Sequence, residues 1–157
     1  MRRIIFLDID GVLNSVKYDR ERTDKKGNID ETRMVLLKEL VDGTNAEIVL
    51  SSSWRKHWSI DDSECDHIGR ELNLTFDKYG LIISDKTPVL SASDRSIEIQ
   101  SWLDEHLCEI QSFVIIDDMF GGWGHLANNL VKTDSRIGRG LEMKHVEMAK
   151  KILLKEQ

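Results

Sequence analysis

The sequence predicts an α/β fold with a central, mainly parallel sheet flanked by helices, and two observations carry that prediction. Short continuous apolar runs at residues 4–7, 48–50 and 113–116 alternate with segments whose apolar residues recur every three or four positions. Runs without polar alternation suit central parallel strands, whose side chains are covered on both faces.

The elements follow in chain order. Ile4, Ile5, Phe6 and Leu7 form the first strand, and a polar stretch over 17–28 reads as a solvated loop or as a flap whose Lys17, Arg20 and Arg22 meet an anionic substrate. Ile29, Met34, Leu37, Leu40 and Val41 then trace a helix, with Asp30 as N-cap and Gly43 placed to end it. The second strand is 48–50, and a less regular helix is expected over 61–74. Ile99, Trp102, Leu103 and Leu107 give the next helical stripe, before the third strand at 113–116. Leu130-Val131 offers a fourth strand, and Met143, Val146, Ala149, Ile152 and Leu153 define a C-terminal helix.

The 157 residues suit one domain, 1–157, with an ordinary core of 40% hydrophobic and 32% charged residues. Twenty-two basic against 28 acidic residues leave a net charge of −6, which excludes a protein that coats nucleic acid and leaves room only for a local patch. Cys65 and Cys108 have no paired spacing and suit reduced thiols. No apolar run approaches the ~20 residues of a membrane span, and the four apolar residues after Arg3 are too few for a signal peptide. A cytoplasmic protein with no membrane partner is the expectation.

The chemistry lies where the strands end. Asp8-Ile9-Asp10-Gly11 follows the first, Ser51-Ser52-Ser53 the second and Asp117-Asp118 the third. In an open parallel sheet these carboxyl ends share one rim, where ligands bind. Four converging aspartates repel one another unless a cation sits among them, and a hard divalent ion such as Mg²⁺ matches oxygen ligands and a substrate phosphate. No G-x-x-x-x-G-K-[ST] loop is present, which argues against a kinase.

The segment Phe6-Leu7-Asp8-Ile9-Asp10-Gly11-Val12-Leu13-Asn14 resembles the first motif of the haloacid dehalogenase (HAD) superfamily, hhhDxDGxxN. Ile48-Val49-Leu50-Ser51 resembles the second motif, and Val114-Ile115-Ile116-Asp117-Asp118 the acidic fourth. Ser52-Ser53-Trp54-Arg55, Thr87-Pro88 ahead of Arg95, and Val131-Lys132-Thr133-Asp134 extend the resemblance to the small HAD domains of Swiss Army Knife RNA repair proteins and to polynucleotide 3′-phosphatase-like relatives. A Rossmann-like HAD fold is thereby implied. About 37 residues between Asp10 and the second strand, and 41 between Ser53 and Arg95, leave space for a minimal cap or none.

The resemblance implies a role for each matching residue. Asp8 is the nucleophile that forms an aspartyl-phosphate, and Asp10 the general acid and then base, offering its backbone carbonyl to Mg²⁺. Ser51 donates to a phosphoryl oxygen, with Ser52 as fallback. Arg95 supplies the third-motif cation, with Lys86 as competitor. Asp118 ligates the metal and Asp117 supports the ion or its waters.

An uncapped cleft suits a phosphate at the end of a macromolecule. Trp54-Arg55-Lys56-His57-Trp58 interleaves aromatic and cationic groups as single-strand binders do, although Trp54 and Trp58 at i, i+4 spacing also fit core positions and Arg55 a structural role. Gly121-Gly122-Trp123-Gly124-His125 reads either as a rim carrying an aromatic or as a plain glycine loop. The expected function is a Mg²⁺-dependent polynucleotide 3′-phosphatase acting on nucleic-acid ends, with a kinase or ligase partner on another chain compatible with it. The rivals are a nucleotidase or other small-molecule phosphatase, and a non-catalytic phosphate-binding module.

Overall fold

A computed structural model describes residues 1–22, 28–91 and 94–155. Five strands, β1 (Arg2–Leu7), β2 (Glu47–Leu50), β3 (Ile83–Lys86), β4 (Ile110–Asp117) and β5 (Leu130–Lys132), form one parallel sheet in the order β3-β2-β1-β4-β5. The chain runs outward from β1 through β2 to β3 and returns to lay β4 against the other side of β1. The topological switch therefore falls between β1 and β4, where open parallel sheets form a crevice at their carboxyl ends.

Register makes the convergence exact to the residue. Leu7 pairs with Leu50 on one side and with Ile116 on the other, so Asp8, Ser51 and Asp117 all occupy the next step. Ile5, Leu7, Ile48, Leu50, Val114 and Ile116 pack on one sheet face beneath the helices α2 (Glu31–Thr44), α3 (His67–Lys78) and α5 (Met143–Leu153). Ile4, Phe6, Val49 and Ile115 pack on the other beneath α4 (Arg95–Glu105) and Trp123. The apolar runs are continuous because both faces are covered.

Several boundaries differ from the sequence expectation, each for a local reason. Residues 17–21 of the expected polar loop belong to a short helix, α1 (Val16–Glu21), capped by the Ser15 side chain, and residues 23–27 of that loop lie outside the described residues. Helix α2 begins after Asp30 as expected but continues past Gly43, ending where Asn45 takes the left-handed conformation and donates to the Val41 carbonyl. Asp66 accepts from the Ile68 and Gly69 amides and so starts α3 later than expected, carrying it to Lys78. Leu107, expected on a helical stripe, lies beyond the end of α4 and is exposed. The β2–β3 connection holds α3, whose Leu72 and Phe76 are buried in the core, so it lines the fold rather than capping the crevice.

Candidate active site

Asp8 is buried at the end of β1, its Oδ1 accepting from the Ile9 amide at 2.9 Å. Arg95, the first residue of α4, extends one guanidinium nitrogen to Asp8 Oδ2 at 2.9 Å and to Asp117 Oδ2 at 2.6 Å. The other Asp117 oxygen accepts from the Met119 amide at 2.8 Å, and Asp118 Oδ2 accepts from the Ser135 hydroxyl at 3.3 Å. Asp8, Asp117 and Asp118 each direct a carboxylate oxygen into a group whose atoms lie within 4.8 Å of one another.

Three carboxylates against one guanidinium leave two negative charges in a small, mostly buried space. Burial, and then the charge of Asp117, push the Asp8 carboxyl up to about 7, although Arg95 pulls the other way. Burial also raises Asp117 against the opposing pull of Arg95. Burial disfavours the charge on Arg95, but Asp8 and Asp117 beside it hold its pKa above the usual arginine value. A divalent cation with a preference for oxygen matches both the charge deficit and the donor set.

A second observation fits a phosphoryl group. Ser51 at the end of β2 is buried, and its hydroxyl has no hydrogen-bond partner among the described residues. A buried hydroxyl left unpaired costs on the order of 1–3 kcal/mol, so a substrate oxygen bound there recovers that cost.

Asp10 stands apart from the three-carboxylate group and is exposed at the rim. Its Oδ1 accepts from Asn14 Nδ2 at 2.9 Å and its Oδ2 from the Trp54 indole N–H at 3.1 Å. Asn14 also accepts from the Gly11 amide at 2.8 Å, closing the turn that follows β1. Gly11 has φ +83° and lies where any Cβ would run into the Asp118 carboxylate, so both its conformation and its lack of side chain are required. Thr133, just after the edge strand β5, donates to the Gly11 carbonyl at 2.7 Å and so fixes the turn after β1.

The remaining sequence candidates are engaged elsewhere. Ser52 is fully buried and its hydroxyl caps the turn at Ser53–Lys56, accepting from the Trp54 amide. Arg55 points inward, donating at 2.7 Å to the Ser52 carbonyl and at 2.7 Å to the buried Glu98 carboxylate. Lys86 donates to the backbone carbonyls of Arg55 at 3.1 Å and Trp58 at 2.6 Å. The cation that reaches Asp8 is thus Arg95, while Arg55 and Lys86 hold the turn after β2, because each finds fixed acceptors inside it. Trp54 presents its N–H to Asp10 and Trp58 is buried. Trp123 is also buried, its indole N–H on the Met119 carbonyl at 3.1 Å, so it is not the aromatic of the rim.

Sequence reasoning gave no role to Glu98, Asn14, Thr133 or Ser135. Asn14 and Thr133 lie within the segments that resemble HAD motifs, which is the only signal the sequence offers for them. Glu98 carried none, since its partner is 43 residues away.

A switch-point crevice holding an aspartate after the central strand, a second aspartate two residues on and an acidic pair after β4 defines a HAD-type α/β domain. Residues 4–146 match the family described as HAD domain in Swiss Army Knife RNA repair proteins, and the chain belongs to that family. HAD proteins are generally hydrolases, chiefly phosphatases, and typically use Mg²⁺. The comparisons with curated proteins and with solved structures give no match. Among the described residues no helix is long and apolar enough to cross a membrane.

Metal binding here should be pH-dependent with a definite sign. A proton on Asp8, held up to about pH 7, must leave before the carboxylate can serve a cation, so Mg²⁺ competes with protons. The Mg²⁺-induced rise in melting temperature is therefore expected to be small at pH 5.5 and to grow through pH 7 to pH 8. Scanning fluorimetry with and without Mg²⁺ checks this, and a shift independent of pH would show that no proton on Asp8 competes with the ion.

Proposed function

We propose that the protein is a Mg²⁺-dependent phosphomonoesterase working through an aspartyl-phosphate on Asp8, and that it acts on a phosphorylated nucleic-acid end, the 3′-phosphate foremost. The observation that carries the reading is the buried Ser51 hydroxyl, unpartnered among the described residues and in register with Asp8 on the neighbouring strand, while the Asp8 carboxylate is oriented by Arg95. A carboxylate nucleophile, a free donor for a phosphoryl oxygen and a fixed cation for the developing charge form the set that phosphoryl transfer through an enzyme carboxylate needs.

In this reading Asp8 attacks phosphorus and the bond to the leaving oxygen breaks, with Asp10 donating a proton to that oxygen. Asp10, now a carboxylate, takes a proton from water as the water attacks the acyl phosphate, freeing inorganic phosphate and restoring Asp8. Asn14 and Trp54 hold the Asp10 carboxyl at the rim, where it meets a leaving group rather than the acidic pocket. Asp8, Asp117 and Asp118 would hold Mg²⁺ together with the Asp10 backbone carbonyl. When bound, the ion supplies positive charge that lets an anionic phosphoryl group approach a carboxylate.

The polymer end is favoured by the lack of a cap layer over Asp10 among the described residues, and by the RNA repair proteins named in the family description. The test is phosphate release with Mg²⁺ from a 3′-phosphorylated oligonucleotide, a 5′-phosphorylated oligonucleotide, 3′- and 5′-mononucleotides and an aryl phosphate. A kcat/KM highest for the 3′-phosphorylated oligonucleotide is expected. Preference for mononucleotides replaces the reading with a nucleotidase, and no release from any substrate replaces it with a phosphate-binding module.

A further inference from the structure

Two cavities flank the crevice, and their chemistry differs. On the Trp54 side, a cavity of about 260 Å³ is lined by Asp30, Glu31 and Glu71 and, among the described residues, by no lysine or arginine. On the Asp118 side, a cavity of about 460 Å³ is lined by Lys132 and Arg136, with Phe120 and Ile137 at its edge. Neither Lys132 nor Arg136 has a carboxylate partner in an ion pair among the described residues. Asp134 also lines this cavity, but its Oδ1 is turned into its own loop, accepting from the Arg136 and Ile137 amides at 2.8 and 2.9 Å.

Phe120 is 90% and Ile137 88% exposed, although both belong to loops anchored directly at the site. Asp117 fixes the start of the first loop through the Met119 amide, and Ser135 ties the second to Asp118. Within the first loop, Gly121 and Gly122 both take positive φ, and Trp123 is buried at 3% exposure. Phe120 is thus left outward while Trp123 serves the core. An exposed aromatic beside cations that form no ion pair among the described residues is the combination that binds single-stranded nucleic acid by base stacking and phosphate contact.

We propose that this rim, Phe120 and Ile137 with Lys132 and Arg136, receives the nucleotide next to the phosphorylated end, with Phe120 stacking on a base and the two cations meeting backbone phosphate. The inference rests on the polymer-end reading and gives the strand's direction, toward the Asp118 side, since the cavity on the Trp54 side offers a phosphate no lysine or arginine among its described lining residues. Trp54, which the sequence left open between a strand contact and a core position, donates its indole N–H to Asp10.

The test compares wild type, Phe120→Ala and Lys132→Ala/Arg136→Ala in kcat/KM for a 3′-phosphorylated single-stranded hexanucleotide and for an aryl phosphate. Anisotropy binding of the hexanucleotide is measured alongside in an Asp8→Asn background. Each variant is expected to lower the hexanucleotide-to-aryl ratio on the order of tenfold and to weaken binding comparably. The double variant should also flatten the salt dependence of binding. Unchanged ratios and binding in a wild type that does act on the hexanucleotide overturn the rim alone. Binding lost with Trp54→Ala and kept with Phe120→Ala sends the strand to the other side and also overturns it. A wild type that acts on the aryl phosphate but not on the hexanucleotide overturns the polymer-end reading itself.

Discussion

Asp8→Asn is expected to abolish phosphate release, by at least about a thousandfold in kcat, while making the metal-free protein more stable above pH 7. The two effects have one cause. Burial and the neighbouring Asp117 raise the Asp8 carboxyl from 3.8 to about 7, so between those values the native state holds a proton that the unfolded chain has released. Stability from this group is full below about pH 4 and is lost as pH rises through 7. An asparagine, neutral at every pH, removes that loss. Its advantage over wild type should be near zero in acid and grow to a plateau above pH 7, worth a few degrees in melting temperature for a chain of this size. A variant inactive and less stable at pH 8 contradicts the account, because inactivation would then reflect a damaged fold rather than a missing nucleophile. Equal activity of variant and wild type in single-turnover assays removes Asp8 from the chemistry.

What the sequence disclosed and what it hid divide by the range of the interactions. The strands that carry the site were legible because burial on both faces forces an uninterrupted apolar run, as at Ile4, Ile5, Phe6 and Leu7. The acidic rim was legible because register follows from strands of known ends, which aligns Asp8 with Ser51 and Asp117. Strand β3 was not, since the apolar run Leu81-Ile82-Ile83 ends at its first residue and Ser84-Asp85-Lys86 continue it at the sheet edge as polar residues. Nor was the orientation of the Trp54-Arg55 segment. Its residue types suit a nucleic-acid surface equally well, and only the distant Glu98 and Asp10 turn Arg55 inward and aim the Trp54 indole at the catalytic rim. Phe120 was overlooked for the converse reason, because a single aromatic between Met119 and Gly121 has no pattern until its exposure is seen.

Glu98→Ala is expected to be the most destabilising single change connected with the site, and it should damage catalysis through Arg95. Arg55 and Glu98 form an ion pair at 2.7 Å with side chains only 7% and 2% exposed, and Glu98 also accepts the Leu90 amide at 3.1 Å. Removing the carboxylate leaves a buried guanidinium without its counter-charge, held among the described residues only by the Ser52 carbonyl, and the Leu90 N–H without an acceptor, at a cost of about 3–5 kcal/mol, or roughly 10 °C in melting temperature for a chain of this length. Glu98 lies one helical turn after Arg95, and its partner lies in the turn that follows Ser51, so the pair ties the Ser51 end of β2 to the helix carrying Arg95. Loosening it should lower kcat more than it raises KM, since Arg95 is asked to meet charge that develops on the phosphoryl group. The double variant Arg55→Leu/Glu98→Leu separates the two consequences. With neither charge left to desolvate, much of the stability should return, as it does when buried pairs are replaced by apolar residues. Activity should stay low, because an apolar contact does not fix the direction of the turn as the paired hydrogen bonds to Ser52 and Glu98 do. Full recovery of both would mean that packing alone positions Arg95, and a single Glu98→Ala variant with an unchanged melting temperature would mean that the pair bears no stability at all.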